Sequence, residues 1–177
     1  GSYQTKEEQE EIPIGEKNGI TYALLAYTDT TNGLKTPIGK EHLVNRYNDK
    51  QVKQDIEKIR DKVDLLMVSM HFGVEYSHTP SARQRQIATY LESLGVDIII
   101  GHHPHVVQPI EFINDTMVIY SLGNFISAQR GVEKLTGLVA SITVKKTTKG
   151  NSSTLTLENP TIELVYTSSK YAKNGGR

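Results

Sequence analysis

The residues best equipped for chemistry stand together at Gly101-His102-His103-Pro104-His105, directly after the apolar run at 96–100. Imidazole is the commonest nitrogen ligand of zinc, iron and similar metals. In an extended chain, residues i and i+2 point the same way, so the rings of His103 and His105 are expected to reach one site. Pro104 restrains the backbone between them and favours an extended His103. A second apolar run, 65–70, also ends in a histidine, His71, and five of the six histidines fall between residues 71 and 105. Three protein ligands with one position open make a catalytic metal site, because the metal lowers the pKa of bound water. His71, His103 and His105 are the ligand candidates.

Around them stand candidate catalytic groups. Glu75, four residues past His71, is a ligand, a general base or a partner for an imidazole, against the plainer reading of a solvated loop carboxylate. His102 is a donor behind the metal ligands, a substrate contact or a loop residue. Asn124 is an amide ligand or transition-state donor, or simply a turn residue. Gln108 is placed to orient a histidine. Arg83 and Arg85 could attract an anionic substrate, although a solvated helix face is the commoner role. His78 and His42 read as surface residues. Asp64 and Asp97 open their strands at the opposite end and read as structural.

The elements that must position these groups can be traced along the chain. Residues 1–16 are polar and Glu-rich, and read as a flexible leading segment in which Gly1-Ser2 is a cloning remnant. Residues 20–27 are apolar on both faces, as in an internal strand. Asn48 caps a helix with Gln51 as partner, and Val52, Ile56, Ile59 and Val63 give it an apolar stripe. A strand at 64–70 follows. Thr79 with Pro80, or Ser81 with Gln84, starts a second helix lined by Ile87, Ala88, Leu91 and Leu94 and ended at Gly95. The strand at 96–100 runs from there to the histidines. Two helix–strand units after a buried strand imply a partly parallel sheet with right-handed crossovers. Ligands bind beyond the carboxyl ends of such strands, where both histidine groups lie. Residues 106–113 and 116–122 form a hairpin around Asn114-Asp115. Residues 136–145 and 153–166 alternate as half-solvated antiparallel strands turning at Lys149-Gly150-Asn151, and 168–177 read as a flexible tail.

A chain of 177 residues suits one domain, here 17–167 between its two ends. Equal numbers of acidic and basic residues leave no nucleic-acid footprint. No apolar run approaches the ~20 residues needed to span a bilayer. The absence of cysteine excludes disulfides, thiolate metal sites and cysteine nucleophiles. No nucleophile elbow, Walker loop or dinucleotide fingerprint is present.

At "MHFGVEY", "VDIIIGHHPHVVQPIEF" and "VIYSLGNFI" the chain resembles the bacterial capsule-synthesis CapA/PgsA family of poly-γ-glutamate production, which is similar to the calcineurin-like metallophosphoesterases. The resemblance covers roughly half the chain. It implies the C-terminal half of a metallophosphoesterase-like α/β sandwich, with a mixed sheet, helices packed outside and antiparallel strands at the C-terminal end. It makes His71 the counterpart of the superfamily's middle metal-binding histidine and His103 and His105 the Gly-His-x-His pair, with His102 as an extra histidine. Glu75 and Asn124 match characteristic positions. A divalent ion (Mn, Zn or Fe) is implied. The family's opening Asp-bearing strand, Asn-Leu-Glu stretch and Asn-His block have no counterpart here. The expectation is therefore weak or no metal binding by this chain alone, and exposed sheet surface that favours a homo-oligomer or pairing with the missing N-terminal half. The implied setting is the cell surface, with a membrane anchor outside this chain and poly-γ-glutamate or its synthase complex as partner. Hydrolysis of a phosphoester or amide-type bond is the first functional expectation. A non-catalytic part in a membrane synthase complex and a general phosphodiesterase are the rivals.

Overall fold

Runs of apolar and β-branched residues form the centre of the molecule, which is described here from a computed structural model covering residues 1–150 and 152–168. In chain order the elements are α1 (Lys6–Glu10), β1 (Gly15–Lys17), β2 (Ile20–Thr28), α2 (Asp49–Ile59), β3 (Leu65–His71), α3 (Ala82–Ser93), β4 (Ile98–His102), β5 (Ile110–Ile113), β6 (Thr116–Ile119), the single turn α4 (Val132–Leu135), β7 (Thr136–Lys149) and β8 (Ser152–Tyr166). Strands β1 to β6 make one mixed sheet in the order β1-β2-β3-β4-β6-β5. Strands β2, β3, β4 and β6 run parallel, with β1 and β5 antiparallel at the edges. The register places Thr28 beside His71 and His71 beside His102.

The two helices start where the capping chemistry predicts. Asn48 accepts from the Gln51 amide, and Ser81 with Gln84 forms a complete capping box, so Ser81 rather than Thr79 begins α3. Both helices cover one face of the sheet. Leu66, Val68, Met70, Ile99, Val118 and Tyr120 are fully buried there with Val52, Ile56, Ile87 and Leu91. Each such aliphatic side chain contributes roughly 1.5–3 kcal/mol by leaving water.

Alternation sends the intervening residues to the other face. Leu65, Ile98, Met117 and Ile119, with Met67 and Ile100, pack beneath the β7–β8 hairpin through Ala140, Ile142, Val144, Leu155 and Leu157. This gives the helix-outside, strands-inside layering expected of a partial metallophosphoesterase-like α/β sandwich. The hairpin covers only part of its face, and Leu24 on β2 remains 51% exposed.

Among the described glycines, Gly101 makes the closest approach to neighbouring backbone. A Cβ on Gly101 would lie 2.0 Å from the Tyr120 carbonyl oxygen, so any side chain would push β4 away from the chain at 120–122. That contact seats the histidine loop, because the Leu122 amide donates to the Gly101 carbonyl at 3.2 Å.

The leading segment is more structured than its polarity suggests. Thr5 caps α1, β1 pairs with β2, and Ile12 packs against the helix-side core. Backbone pairing to an otherwise open sheet edge supplies order that composition does not reveal. The tail expected over 168–177 falls almost wholly outside the described residues.

Candidate metal centre

Parallel pairing of β3 and β4 brings both histidine groups to one end of the sheet. The loops that follow are joined by backbone bonds: the Phe72 amide donates to the His102 carbonyl at 3.1 Å, and the Tyr76 amide to the Pro104 carbonyl at 2.7 Å. Phe72 is fully buried and anchors the first loop. A second anchor comes from beneath. Gln84 Nε2 donates to Gln108 Oε1 at 2.8 Å, and Gln108 Nε2 donates to the Ser77 carbonyl at 2.7 Å. Gln108 therefore orients the Glu75 loop and not a histidine, which corrects the expectation from sequence. Gly73, at φ 108°, passes so close to the Gln84 amide that a Cβ would stand 2.7 Å from it.

The histidine loop is not extended. His103 and His105 both have positive φ, 101° and 59°. Convergence of their rings comes from two left-handed residues around Pro104 and not from strand alternation. Their ring centroids are 6.1 Å apart, and that of His71 lies 4.5 Å from His103. Among the described residues, seven non-glycine positions have positive φ. Four are asparagines, which tolerate that region; the others are Tyr76, His103 and His105, all at this site. Unusual backbone concentrated at one place points to function there.

Glu75, His103 and His105 each offer a donor atom, and these atoms lie within 4.8 Å of one another. His103 Nδ1 is buried without a hydrogen-bond partner. A buried polar atom left alone is costly, and coordination to a cation would satisfy it. Two imidazoles and a carboxylate suit Zn, Mn or Fe, so the residues present fit a divalent ion. Glu75, read from sequence among the catalytic candidates, thus stands in the donor group.

His71 stands next to that group. Its Nδ1 is 2.9 Å from Thr28 Oγ1, whose proton goes to the Thr30 carbonyl. Thr28 must then accept from His71 Nδ1–H, which leaves the lone pair on Nε2. His105 is set the same way: its Nδ1 donates to Asn124 Oδ1 at 3.0 Å. Asn124 Nδ2 donates in turn to the carbonyls of Lys134 (2.8 Å) and His105 (3.2 Å). With both ends of its amide engaged, Asn124 is a positioning residue here and not a free ligand or transition-state donor. Such a partner fixes the ring and its tautomer.

Burial and the neighbouring imidazoles His103, His102 and His105 hold His71 below the ordinary histidine range. Burial also lowers His102. For His103, burial again lowers the value, opposed by the Glu75 carboxylate. The downward shifts favour the neutral imidazole, the form that binds metal. His102 shares its strand face with Ile98 and Ile100 and lines an apolar groove of about 580 Å³ beneath the hairpin with Leu122 and Phe125, apart from Glu75. Arg83 pairs with Asp29 and Arg85 with Glu111. His78 is exposed, with Nδ1 2.9 Å from the Val107 carbonyl. Thr28, Tyr76 and Gln129, which touch the site, were not visible as site residues in the sequence. Thr28 was in principle reachable, as the last residue of the strand paired with β3.

Comparison with known proteins identifies the family and the fold. The family model described as bacterial capsule synthesis protein PGA_cap matches residues 1–129, a span that contains all six candidate site residues. Over 134 residues the chain is 35% identical to the PGA biosynthesis protein CapA of Bacillus subtilis strain 168, covering 72% of this chain and 33% of that protein. It is 34% identical over 116 residues to the capsule biosynthesis protein CapA of Bacillus anthracis, covering 63% and 28% respectively. The chain thus spans about a third of the length of these curated relatives. The sulfate thiohydrolase SoxB of Thermus thermophilus shares the fold, with a TM-score of 0.54 at 12% identity over 88% of this chain and 24% of that one. On the strength of the family match and the Bacillus subtilis relative, the chain belongs to the bacterial capsule synthesis protein family.

Proposed function

We propose that this chain carries the metal-binding part of a capsule-synthesis protein that hydrolyses a phosphoester or amide-type bond while poly-γ-glutamate is made, exported or attached. The observation that carries the reading is the convergence of Glu75, His103 and His105 donor atoms within 4.8 Å of one another, with His103 Nδ1 buried and without a hydrogen-bond partner. When bound, a divalent cation supplies Lewis acidity to this donor set. The residues themselves do the rest. Asn124 and Thr28 hold His105 and His71 in one tautomer. The buried Gln84–Gln108 pair keeps Glu75 facing the imidazoles. His71, neutral and beside His103, is placed to accept a proton at Nε2. The wider setting belongs to the same proposal: a surface location, an anchor in the longer protein, and a synthase complex as partner.

A non-catalytic part in such a complex is the second reading, favoured by the exposed Ile162 (58%) and Leu164 (69%) of β8, an apolar strip suited to a partner protein. The test uses the full-length protein with His103→Ala and His105→Ala. Loss of bound metal together with capsule supports hydrolysis. Capsule retained without metal sinks it in favour of the second reading. Hydrolysis of simple phosphodiesters with no effect on capsule would mark a general phosphodiesterase.

A further inference from the structure

Beside the donor cluster lies a basic and aromatic rim that metal binding does not use. Tyr76 follows Glu75 with a left-handed backbone, φ 64°. Its ring stacks on His105, with centroids 6.1 Å apart and planes at 30°. The Lys134 ammonium lies 4.9 Å from the centre of the same ring. The two residues are tied to the site by further bonds. Gln129 Nε2 donates to the Tyr76 hydroxyl at 3.3 Å, while Gln129 Oε1 accepts from Asn124 Nδ2 at 3.2 Å. That Asn124 amide also holds the Lys134 carbonyl and the His105 ring.

Lys134 differs from the other well-held cations. Arg60, Arg83, Arg85, Lys145 and Lys146 each pair with a carboxylate, and among the described residues Lys134 pairs with none. It is nevertheless half-buried. An ammonium held over an aromatic face has already lost much of its freedom, and it keeps its donors for an incoming anion. Its ammonium lies over the ring that stacks on His105, and it lies outside the span matched by the family model.

We propose that Lys134 and Tyr76 form an oxyanion-receiving subsite. It would hold a carboxylate or phosphate of the substrate and present the adjoining bond to His103, His105 and Glu75. This rests on the reading of that cluster as a substrate-processing centre. Lys134 supplies the charge and Tyr76 the platform that aims it, so the subsite selects anionic substrates over neutral ones of the same shape.

A short γ-linked glutamate oligomer and inorganic phosphate are titrated separately into the 177-residue chain. Amide shifts are followed by NMR, with Mn²⁺ affinity measured calorimetrically in parallel. Expected are shifts at 75–76 and 129–134 that weaken with added salt. Lys134→Gln should weaken anion binding about tenfold or more, Lys134→Arg should largely retain it, and both should leave Mn²⁺ affinity unchanged. Tyr76→Phe keeps the ring and should keep binding; Tyr76→Ala should lose much of it. Binding of the oligomer alone assigns a carboxylate, and binding of phosphate alone a phosphoryl group. The subsite is overturned if neither anion binds, or if Lys134→Gln binds both as the parent does. Mn²⁺ binding alongside either result spares the metal reading. Lys134-dependent anion binding without Mn²⁺ binding keeps the subsite and removes the metal reading.

Discussion

The two ends of the central strands carry ionisable residues in opposite states. At the starting ends of β3 and β4, Asp64 and Asp97 are both satisfied. Asp97 accepts from Arg60 and from the Leu66 amide, both at 2.7 Å, and Arg60 also donates to the Gly95, Val63 and Asp64 carbonyls. Asp64 accepts from Lys146 (2.8 Å) and from the Thr21 amide and hydroxyl. At the finishing ends, imidazoles crowd together, one nitrogen is buried without a partner, and three residues sit in left-handed backbone. Complete pairing marks groups that hold a fold together. Incomplete pairing held in place by neighbours marks groups kept ready for a ligand.

Three changes would break or sharpen that contrast. Arg60→Ala should have the largest effect on stability, about 2–4 kcal/mol, because it strands a half-buried Asp97 and three carbonyls. Chemical denaturation measures the loss, and metal affinity of the folded fraction should not change. A similar loss of affinity would mean that the two ends are not separate. Asn124→Ala acts at the other end. It should weaken metal binding about 10–100-fold by freeing the His105 ring. Calorimetric titration checks it, and an unaltered affinity would remove Asn124 from its positioning role.

The smallest effect is that of pH. His71, His102 and His103 have lowered values in the folded state, so below about 6.5 the unfolded chain binds more protons than the folded one. Stability is therefore full above that pH and falls as pH drops through the folded values. Denaturation midpoints at pH 7.5 and 5.5 would show it, and Asn or Gln at these positions should flatten the curve. Bound metal should steepen it, since protons compete for the ligands.

Much of this was legible in the sequence because it depends on local chemistry. The caps at Asn48 and Ser81, the paired helix–strand units and the Asn114-Asp115 turn all follow from spacing. The strand-end position of His71 and of the His102–His105 run also followed from hydrophobic runs. What was not legible depends on contacts between distant segments. The left-handed backbone of His103 and His105 is imposed by the Pro104–Tyr76 and Asn124 bonds, and the usual restraint before proline pointed the other way. Gln108 was seen as a polar group near histidines, but its partners come from α3 and from residue 77. The order in residues 5–17 depends on an edge that only the assembled sheet presents.

The central claim is that Glu75, His103 and His105 hold one divalent ion. Titration of Mn²⁺ into the 177-residue chain, followed by paramagnetic broadening of its NMR spectrum, tests it most directly. The account predicts one ion per chain, held weakly by this chain alone, with broadening centred on residues 71, 75, 103 and 105 and abolished by His103→Ala with His105→Ala. Absence of binding, or broadening centred instead on the acidic stretch Glu7, Glu8, Glu10 and Glu11, would contradict it.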